Sequence, residues 1–242
     1  FDSTKEHIKR AGGKSIELIY EEGIIPEYEA DFKGNIDIEK LEKVIQKEKA
    51  SNIPFVRIEA GTNLIGGQPV SLKNMELVSN ICKKYGILLI LDASLLQDNL
   101  YFIKTREEEC KDWTIREITK KIASFMDIIY FSARKFGFAR GGGMCVRSKE
   151  LYNSMQEYIT IFEGFLTYGG MSTKEMEAIT VGLDETMDEE IICQGPKFIE
   201  YIVRELQKYG IPTVLPSGGL GVHIDAKKFL SHLEMSEYPA GA

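Results

Sequence analysis

The sequence has few cysteines, few histidines and no long apolar run. Its four cysteines are widely spaced, no Cys-x-x-Cys pair occurs, and its three histidines do not stand at metal-ligand spacing. This pattern favours reduced cytoplasmic thiols over a disulfide framework or a zinc site. No apolar stretch reaches the roughly 18 residues that a membrane-spanning helix needs, and the first residues do not resemble a targeting peptide. We therefore expect a soluble, cytoplasmic protein without a membrane partner.

Positive charge is also in short supply. The chain has 30 Lys and Arg residues against 37 Asp and Glu residues, which gives a net charge of -7 and a pI near 5.2. Nucleic-acid-binding domains usually carry a basic face, so this balance favours a small-molecule partner and predicts no nucleic-acid partner. With 43% hydrophobic residues in 242, the chain can bury the core of one α/β domain and has room for part of a second.

Predicted strands and helices alternate along the chain. A continuous apolar run at 87–91, closed by Asp92, is typical of a strand inside a covered sheet. Further strands are predicted at 15–20, 54–59, 128–131, 144–146 and 221–225, and helices at 2–10, 36–45, 71–85, 114–124, 173–187 and 196–209. Strands separated by helices indicate an α/β fold with a mostly parallel sheet, helices on both of its faces and right-handed crossovers.

Three chemically useful residues each follow a predicted strand. Asn63 lies in a glycine-rich loop, Asp92 closes the apolar run, and Lys135 stands behind the small hydroxyl residue Ser132. Ligands of such sheets bind at the carboxyl ends of the strands, so we expect these residues to converge there. A lysine that is desolvated at such a place can act as a nucleophile toward an aldehyde. For a single lysine, a solvated position in a surface loop is the ordinary alternative.

Several segments carry a resemblance to a known family. They are Phe32–Asn35, Asn63–Ser71, Asn99–Lys104, Ser132–Lys135 and Glu163–Gly170. In this order, over essentially the whole chain, they resemble the tryptophanase and tyrosine phenol-lyase family of pyridoxal-phosphate (PLP) dependent β-eliminating lyases. The resemblance implies the aspartate-aminotransferase-type fold, PLP fold type I. Family members extend beyond both ends of this chain, which also lacks an initiator methionine, so we expect a segment of a longer protein.

The resemblance implies a function and an organisation. The expected protein is a homotetramer that binds PLP and releases indole or phenol, with pyruvate and ammonia, from an aromatic amino acid. Tryptophan is favoured slightly over tyrosine. Another PLP-dependent lyase or transaminase reaction, and a non-catalytic homologue, remain open. Residues 1–210 are predicted to form a PLP-binding large domain that is incomplete at its N-terminus, and residues 211–242 the start of a smaller C-terminal domain.

The resemblance also implies the roles of individual residues. Lys135 matches the lysine that forms the Schiff base and afterwards serves as general base. Asp92 matches the carboxylate that pairs with the protonated pyridine nitrogen, where it keeps the ring an electron acceptor. Asn63 matches a residue near the phenolic oxygen of PLP and the substrate carboxylate. Ser132 matches a phosphate-binding hydroxyl, and Arg134 matches a basic residue that could bind the same phosphate.

Four positions depart from the family pattern. Leu95 replaces an arginine that contacts the phenolic oxygen of PLP, and Leu220 replaces a histidine, so the pocket is expected to be more apolar. Phe136 replaces an acidic or amide residue next to the Schiff-base lysine. Arg140 replaces an asparagine near a monovalent-cation site, and our hypothesis is that its guanidinium takes the place of potassium, because one fixed positive charge can substitute for another.

Overall fold

The computed structural model describes residues 2–162, 164 and 169–237. Most of the motif at 163–170 lies outside the described residues, as do the last five residues of the chain. Tyr168, the tyrosine of this motif, is among the residues outside the described ranges.

The described residues form a mixed α/β architecture. The strands are β1 (Phe55–Glu59), β2 (Leu88–Asp92), β3 (Ile128–Ser132) and β4 (Gly142–Val146). The helices are α1 (Asp2–Arg10), α2 (Ile38–Glu48), α3 (Leu72–Tyr85), α4 (Leu96–Arg106), α5 (Ile115–Phe125), α6 (Lys149–Phe162), α7 (Thr173–Glu185), α8 (Glu189–Ile192), α9 (Gln194–Lys208) and α10 (Ala226–Phe229).

The four strands form one sheet in the order β1-β2-β3-β4. The first three run parallel, and β4 returns antiparallel to β3. Helix α3 connects β1 to β2, while α4 and α5 connect β2 to β3. Because of the parallel register, Glu59, Asp92 and Tyr130 lie side by side across the first three strands. The mostly parallel sheet predicted from the sequence is confirmed, and its carboxyl ends share one edge.

The two faces of this sheet differ in polarity. Along β1, buried Val56 and Ile58 alternate with the half-buried Arg57 and Glu59. The buried side chains join one core cluster with residues of α3 and α5, including Ile118, which is fully buried. Burying an aliphatic side chain of this size contributes about 1.5–3 kcal/mol. The face with the buried side chains of β1 therefore holds the fold together, and on the other face β1 carries the charged Arg57 and Glu59.

The helix that leads from β1 to β2 begins and ends where the sequence predicts. The Ser71 hydroxyl accepts a hydrogen bond from the backbone N–H of Asn74 at 3.0 Å, which satisfies a free donor of the first turn. Gly86 ends α3 in the left-handed conformation, with φ of +66°. These two caps fix the length of α3 and so the point at which β2 starts.

Two predicted strands are wrong. Within the described residues, the stretch at 15–20 forms only an isolated bridge between Ile19 and Ile36, and the stretch at 221–225 only one between Ile224 and Thr213. A strand needs a neighbour within hydrogen-bonding reach. A cavity of about 590 Å³ instead separates residues 13–19 from β1, so the alternating pattern has no partner there.

The segment after α9 packs against the first third of the chain. The ammonium group of Lys33, which is fully buried, donates to the carbonyl oxygens of Ile25 and Leu215, both at 2.7 Å. The Gln68 amide donates to the carbonyl of Pro216 at 2.6 Å. The boundary predicted at residue 210 stays a prediction.

Of the helices in the described ranges, none combines the length and apolar character needed to cross a membrane.

Candidate active site at the carboxyl ends of the strands

Asp92, the last residue of β2, is the most buried charged group at this edge, with 2% of its surface exposed. Its Oδ2 accepts hydrogen bonds from Arg57 Nη1 at 2.9 Å and from the Tyr130 hydroxyl at 3.0 Å. Its Oδ1 accepts one from the backbone N–H of Ser94 at 3.1 Å. The carboxylate is therefore held from both neighbouring strands and from the chain that follows it.

Arg57 is a site residue that sequence reasoning missed. Its Nη2 donates to Glu59 Oε2 at 3.0 Å, so one guanidinium bridges two carboxylates, those of Glu59 and Asp92. Burial by itself lowers the pKa of Arg57, but the charges of Tyr130, Glu59 and Asp92 outweigh burial and raise it. The pKa of Tyr130 is raised by burial and by Asp92. Arg57 and Glu59 could have been identified from the sequence, because they are two opposite charges two residues apart inside a predicted strand.

Asn63 begins a short 3₁₀ helix, Asn63–Ile65, directly after β1. Its backbone N–H donates to Glu59 Oε1 at 3.0 Å, which ties this loop to the charged cluster. The loop closes through Gly66, whose φ of +86° favours glycine. It also rests on the segment after α9, because Leu220 donates its backbone N–H to the carbonyl of Gly66 at 3.2 Å. The loop is thus held from two sides.

The turn between β3 and β4 carries three of the predicted site residues. The backbone N–H of Ser132 donates to the Ser94 hydroxyl at 3.2 Å, two residues after Asp92. The backbone N–H of Lys135 donates to the Ser132 carbonyl at 3.1 Å, and the Lys135 side chain is half-buried. Arg134 is exposed on the outside of this turn. Ser132 and Lys135 therefore lie at the edge that Asp92 occupies, whereas the exposed Arg134 lines a surface depression together with Arg140.

A continuous set of hydrogen bonds connects the ends of the three parallel strands. It runs from the backbone N–H of Asn63 through the side chains of Glu59, Arg57 and Asp92 to the backbone N–H of Ser94. The hydroxyl of the same Ser94 then accepts a hydrogen bond from the backbone N–H of Ser132. The strand ends that parallel-sheet geometry was expected to bring together are thus linked at one edge, and the roles of Asn63, Asp92 and Lys135 there stay a prediction. The described part of the chain contains no cluster of three His, Cys, Asp or Glu side chains placed to hold a metal ion.

The residues that depart from the family pattern are mostly packing residues. Leu95 is 2% exposed, and it packs so closely on Gly61 that a Cβ atom added to this glycine would lie 2.8 Å from the Cβ of Leu95. Phe136 is buried and contacts Phe131 edge to face at 5.6 Å between ring centroids. Leu220 lies against the Asn63 loop, and Arg140 is exposed. The apolar replacements therefore fill space next to the site.

The fold defines a class. A PLP-bound candidate aminotransferase from Clostridium difficile 630 superposes with a TM-score of 0.66 at 11% identity, covering 99% of this chain and 57% of that protein. Threonine aldolase from Leishmania major superposes with a TM-score of 0.56 at 18% identity, covering 87% of this chain and 55% of that one. The predicted fold class, the aspartate-aminotransferase type, is confirmed by this likeness.

The family follows from the sequence comparison. The model of the beta-eliminating lyase family matches residues 1–239, and the chain belongs to this family. It is 38% identical over 241 residues to tyrosine phenol-lyase of Pasteurella multocida, and 37% identical over 243 residues to that of Symbiobacterium thermophilum. These matches cover 99% and 100% of this chain but 53% of each relative. The chain thus spans about half the length of the curated relatives that it matches.

Proposed function

We propose that the protein is a PLP-dependent lyase that eliminates the aromatic group of an aromatic amino acid. The observation that carries the proposal is the hydrogen-bonded connection of Asp92 to both Asn63 and Ser132 at one edge of the sheet. Membership of the beta-eliminating lyase family supports the same chemistry. The roles of the residues named below are part of the proposal.

The donor set at this edge fits PLP. A carboxylate offers about four acceptor positions. Oδ2 of Asp92 uses two of them and Oδ1 uses one, so Oδ1 retains a position for a protonated pyridine nitrogen. The amine of Lys135 suits the aldehyde, and the hydroxyl of Ser132 suits the phosphate. When bound, PLP supplies that aldehyde and a ring that accepts electrons from the substrate.

Each residue then has a defined task. Lys135 would hold the cofactor through its amine, and the same amine would accept the proton from the α-carbon of the substrate. Asp92 keeps the ring nitrogen protonated. Ser132 and Arg134 contact the phosphate, which requires the exposed Arg134 side chain to turn inward. Asn63 orients the substrate carboxylate from the end of β1.

The substrate belongs to the proposal as well. The sequence alone favoured tryptophan slightly, whereas the relatives named above are tyrosine phenol-lyases, which favours tyrosine. We therefore propose phenol, pyruvate and ammonia as products, with indole from tryptophan as the alternative. A homotetramer remains our prediction for the assembly.

The experiment uses the full-length protein with added PLP. We expect an absorbance band from the protein-bound cofactor and production of phenol and pyruvate from tyrosine. Lys135→Ala should abolish both, while Lys149→Ala, a substitution of an exposed lysine, should change neither. Indole from tryptophan would reassign the substrate. Absence of the band, or unchanged product formation by Lys135→Ala, would overturn the proposal, and absence of the band would favour a non-catalytic homologue.

A further inference from the structure

Arg57 lies on the strand beside the carboxylate that would bind the cofactor nitrogen. We propose that Arg57 is a positioning residue that shares the negative charge of Asp92 and so weakens its hold on the proton of the PLP ring nitrogen. This inference rests on the proposed function. It concerns a residue of β1 that acts on the cofactor only through Asp92.

The first argument is the geometry of the contact. Arg57 Nη1 reaches Asp92 Oδ2 at 2.9 Å and, more loosely, the Tyr130 hydroxyl at 3.3 Å. The same hydroxyl donates to Oδ2 at 3.0 Å. Both donors therefore occupy one oxygen. Oδ1 accepts, from the residues that the structure describes, only the backbone N–H of Ser94, so it is the oxygen left for the ring nitrogen. Arg57 thus acts on the charge of the carboxylate without blocking the cofactor.

The second argument is burial. The exposed fractions of the side chains are 17% for Arg57, 11% for Glu59 and 2% for Asp92. Charges this far from solvent are screened less than surface charges, so their mutual interaction is strong. A guanidinium in contact with the carboxylate consequently competes with any second cation for the same negative charge. The protonated pyridine ring would be that second cation.

The third argument is the balance of charge. Arg57 stands between two carboxylates, and the residues that carry them, Glu59 and Asp92, are partners in the β1–β2 register. The guanidinium therefore divides its attraction between them. Among the described residues, Arg57 and Tyr130 contact the Asp92 carboxylate, and Glu59 contacts Arg57. If the Glu59 carboxylate is removed, the guanidinium should interact with Asp92 alone and neutralise it more strongly. If Arg57 is removed, no guanidinium offsets the negative charge of Asp92.

These two substitutions predict shifts of opposite sign. The readout is the pH at which the ring nitrogen of bound [¹⁵N]PLP loses its proton, measured by nitrogen NMR on the full-length protein. In Arg57→Met this pH should rise by roughly one unit, the size expected for loss of one adjacent charge. In Glu59→Gln it should fall. Arg57→Lys retains the cation and should stay near the wild-type value.

Two controls show whether the effect passes through Asp92. In the Asp92→Asn background, Arg57→Met should cause a much smaller shift, because only the direct charge effect of Arg57 on the ring remains. Arg116→Met removes an exposed ion pair with Asp184 and should leave the nitrogen titration unchanged. Circular dichroism of each variant without PLP shows whether the variant is folded, so that a change in the nitrogen titration is not mistaken for unfolding. If Arg57→Met does not fold, the Glu59→Gln and Arg57→Lys variants still carry the comparison.

The outcomes separate this inference from the proposed function. A wild-type protein that binds PLP and eliminates, with the same nitrogen titration in Arg57→Met and Glu59→Gln as in wild type, would overturn the role of Arg57 alone. Shifts of the same sign in both variants would overturn it too. A full-length wild-type protein that binds no PLP would overturn both. Opposite shifts that become much smaller in the Asp92→Asn background would establish it, whereas shifts of undiminished size there would overturn it.

Discussion

A Cβ atom on Gly182 would lie 1.7 Å from the carbonyl oxygen of Gly137. Gly182 belongs to α7, and Gly137 follows Lys135 by two residues in the turn between β3 and β4. The backbone of this turn takes φ of +107° at Gly137. Helix α7 therefore touches the main chain of the lysine-bearing turn directly, with no side chain between them.

Gly182→Ala should displace that turn. The added methyl group cannot fit without moving α7 or the turn, and overpacking of this kind costs about 1–3 kcal/mol. We expect a lower free energy of unfolding by urea and at least a severalfold weaker binding of PLP to the full-length protein. Gly195→Ala is the matched control, because its methyl group would meet only Asp98 Oδ1, at 3.6 Å. Equal effects of the two substitutions would show that the contact is unimportant.

Lys33→Met should destabilise the protein strongly. The buried ammonium donates to the carbonyls of Ile25 and Leu215, and burial lowers the pKa of Lys33. Methionine fills similar space but leaves both carbonyls without this donor. We expect the free energy of unfolding to fall by about 2–4 kcal/mol. Lys43→Met is the control, because Lys43 forms only an exposed pair with Glu39. Chemical denaturation measures both, and a Lys33→Met variant as stable as Lys43→Met would contradict the prediction.

Asp98→Asn should change how stability depends on pH. Asp98 lies in the first turn of α4 against Gly219, and burial raises its pKa from 3.8 to about 7. Between these values the folded protein keeps a proton that the unfolded chain has lost, so this residue's stabilising contribution declines as the pH rises from about 4 to about 7. The amide cannot ionise, so the variant should be more stable than wild type at pH 8, on the order of 3 kcal/mol.

The pH series needs its own control. Asp112 is exposed, so Asp112→Asn should follow the wild-type stability curve throughout. Thermal unfolding from pH 4 to pH 8 compares the three proteins. An Asp98→Asn curve parallel to that of wild type would show that Asp98 does not carry this dependence.

Arg140 provides a test of the cation hypothesis. The side chain is exposed. Hydrogen bonds from the backbone and the hydroxyl of Ser172 lower the pKa of Glu175, and the charge of Arg140 lowers it to a smaller extent. If the guanidinium takes the place of potassium, the full-length enzyme should eliminate equally fast in potassium and in tetramethylammonium buffers. Arg140→Asn should then become dependent on potassium. Strong activation of the wild type by potassium would reject the hypothesis.

Hydrophobic periodicity and helix caps predicted most of the strands and helices that position the site. The apolar run before Asp92 became β2 because its alternate residues Leu89 and Leu91 are buried in the core. The carboxyl ends of parallel strands share one edge of a sheet, so the proximity of the Asn63 loop, Asp92 and Ser132 could be predicted without any distances. These predictions succeeded because each depends on local sequence and on a general property of sheets.

What the sequence could not predict depends on contacts between distant residues. The pairing of Arg57 with Asp92 joins residues 35 positions apart on different strands, and no local pattern specifies it. The burial of Phe136 against Phe131 likewise follows from how the turn folds back. The stretch at 15–20 failed for the opposite reason. Its local pattern is that of a strand, but within the described residues it forms only one bridge to another segment.

The antiparallel return of β4 has a consequence for the order of folding. The pairing of Ser132 with Gly142 is local, so the Lys135 turn can form as a hairpin early in folding. The contact of Tyr130 with Asp92 spans 38 residues and must wait until a helical crossover has closed. We therefore expect the turn that carries Lys135 to form before the contact between Tyr130 and Asp92, so that the lysine and the carboxylate come together only in the late steps of folding.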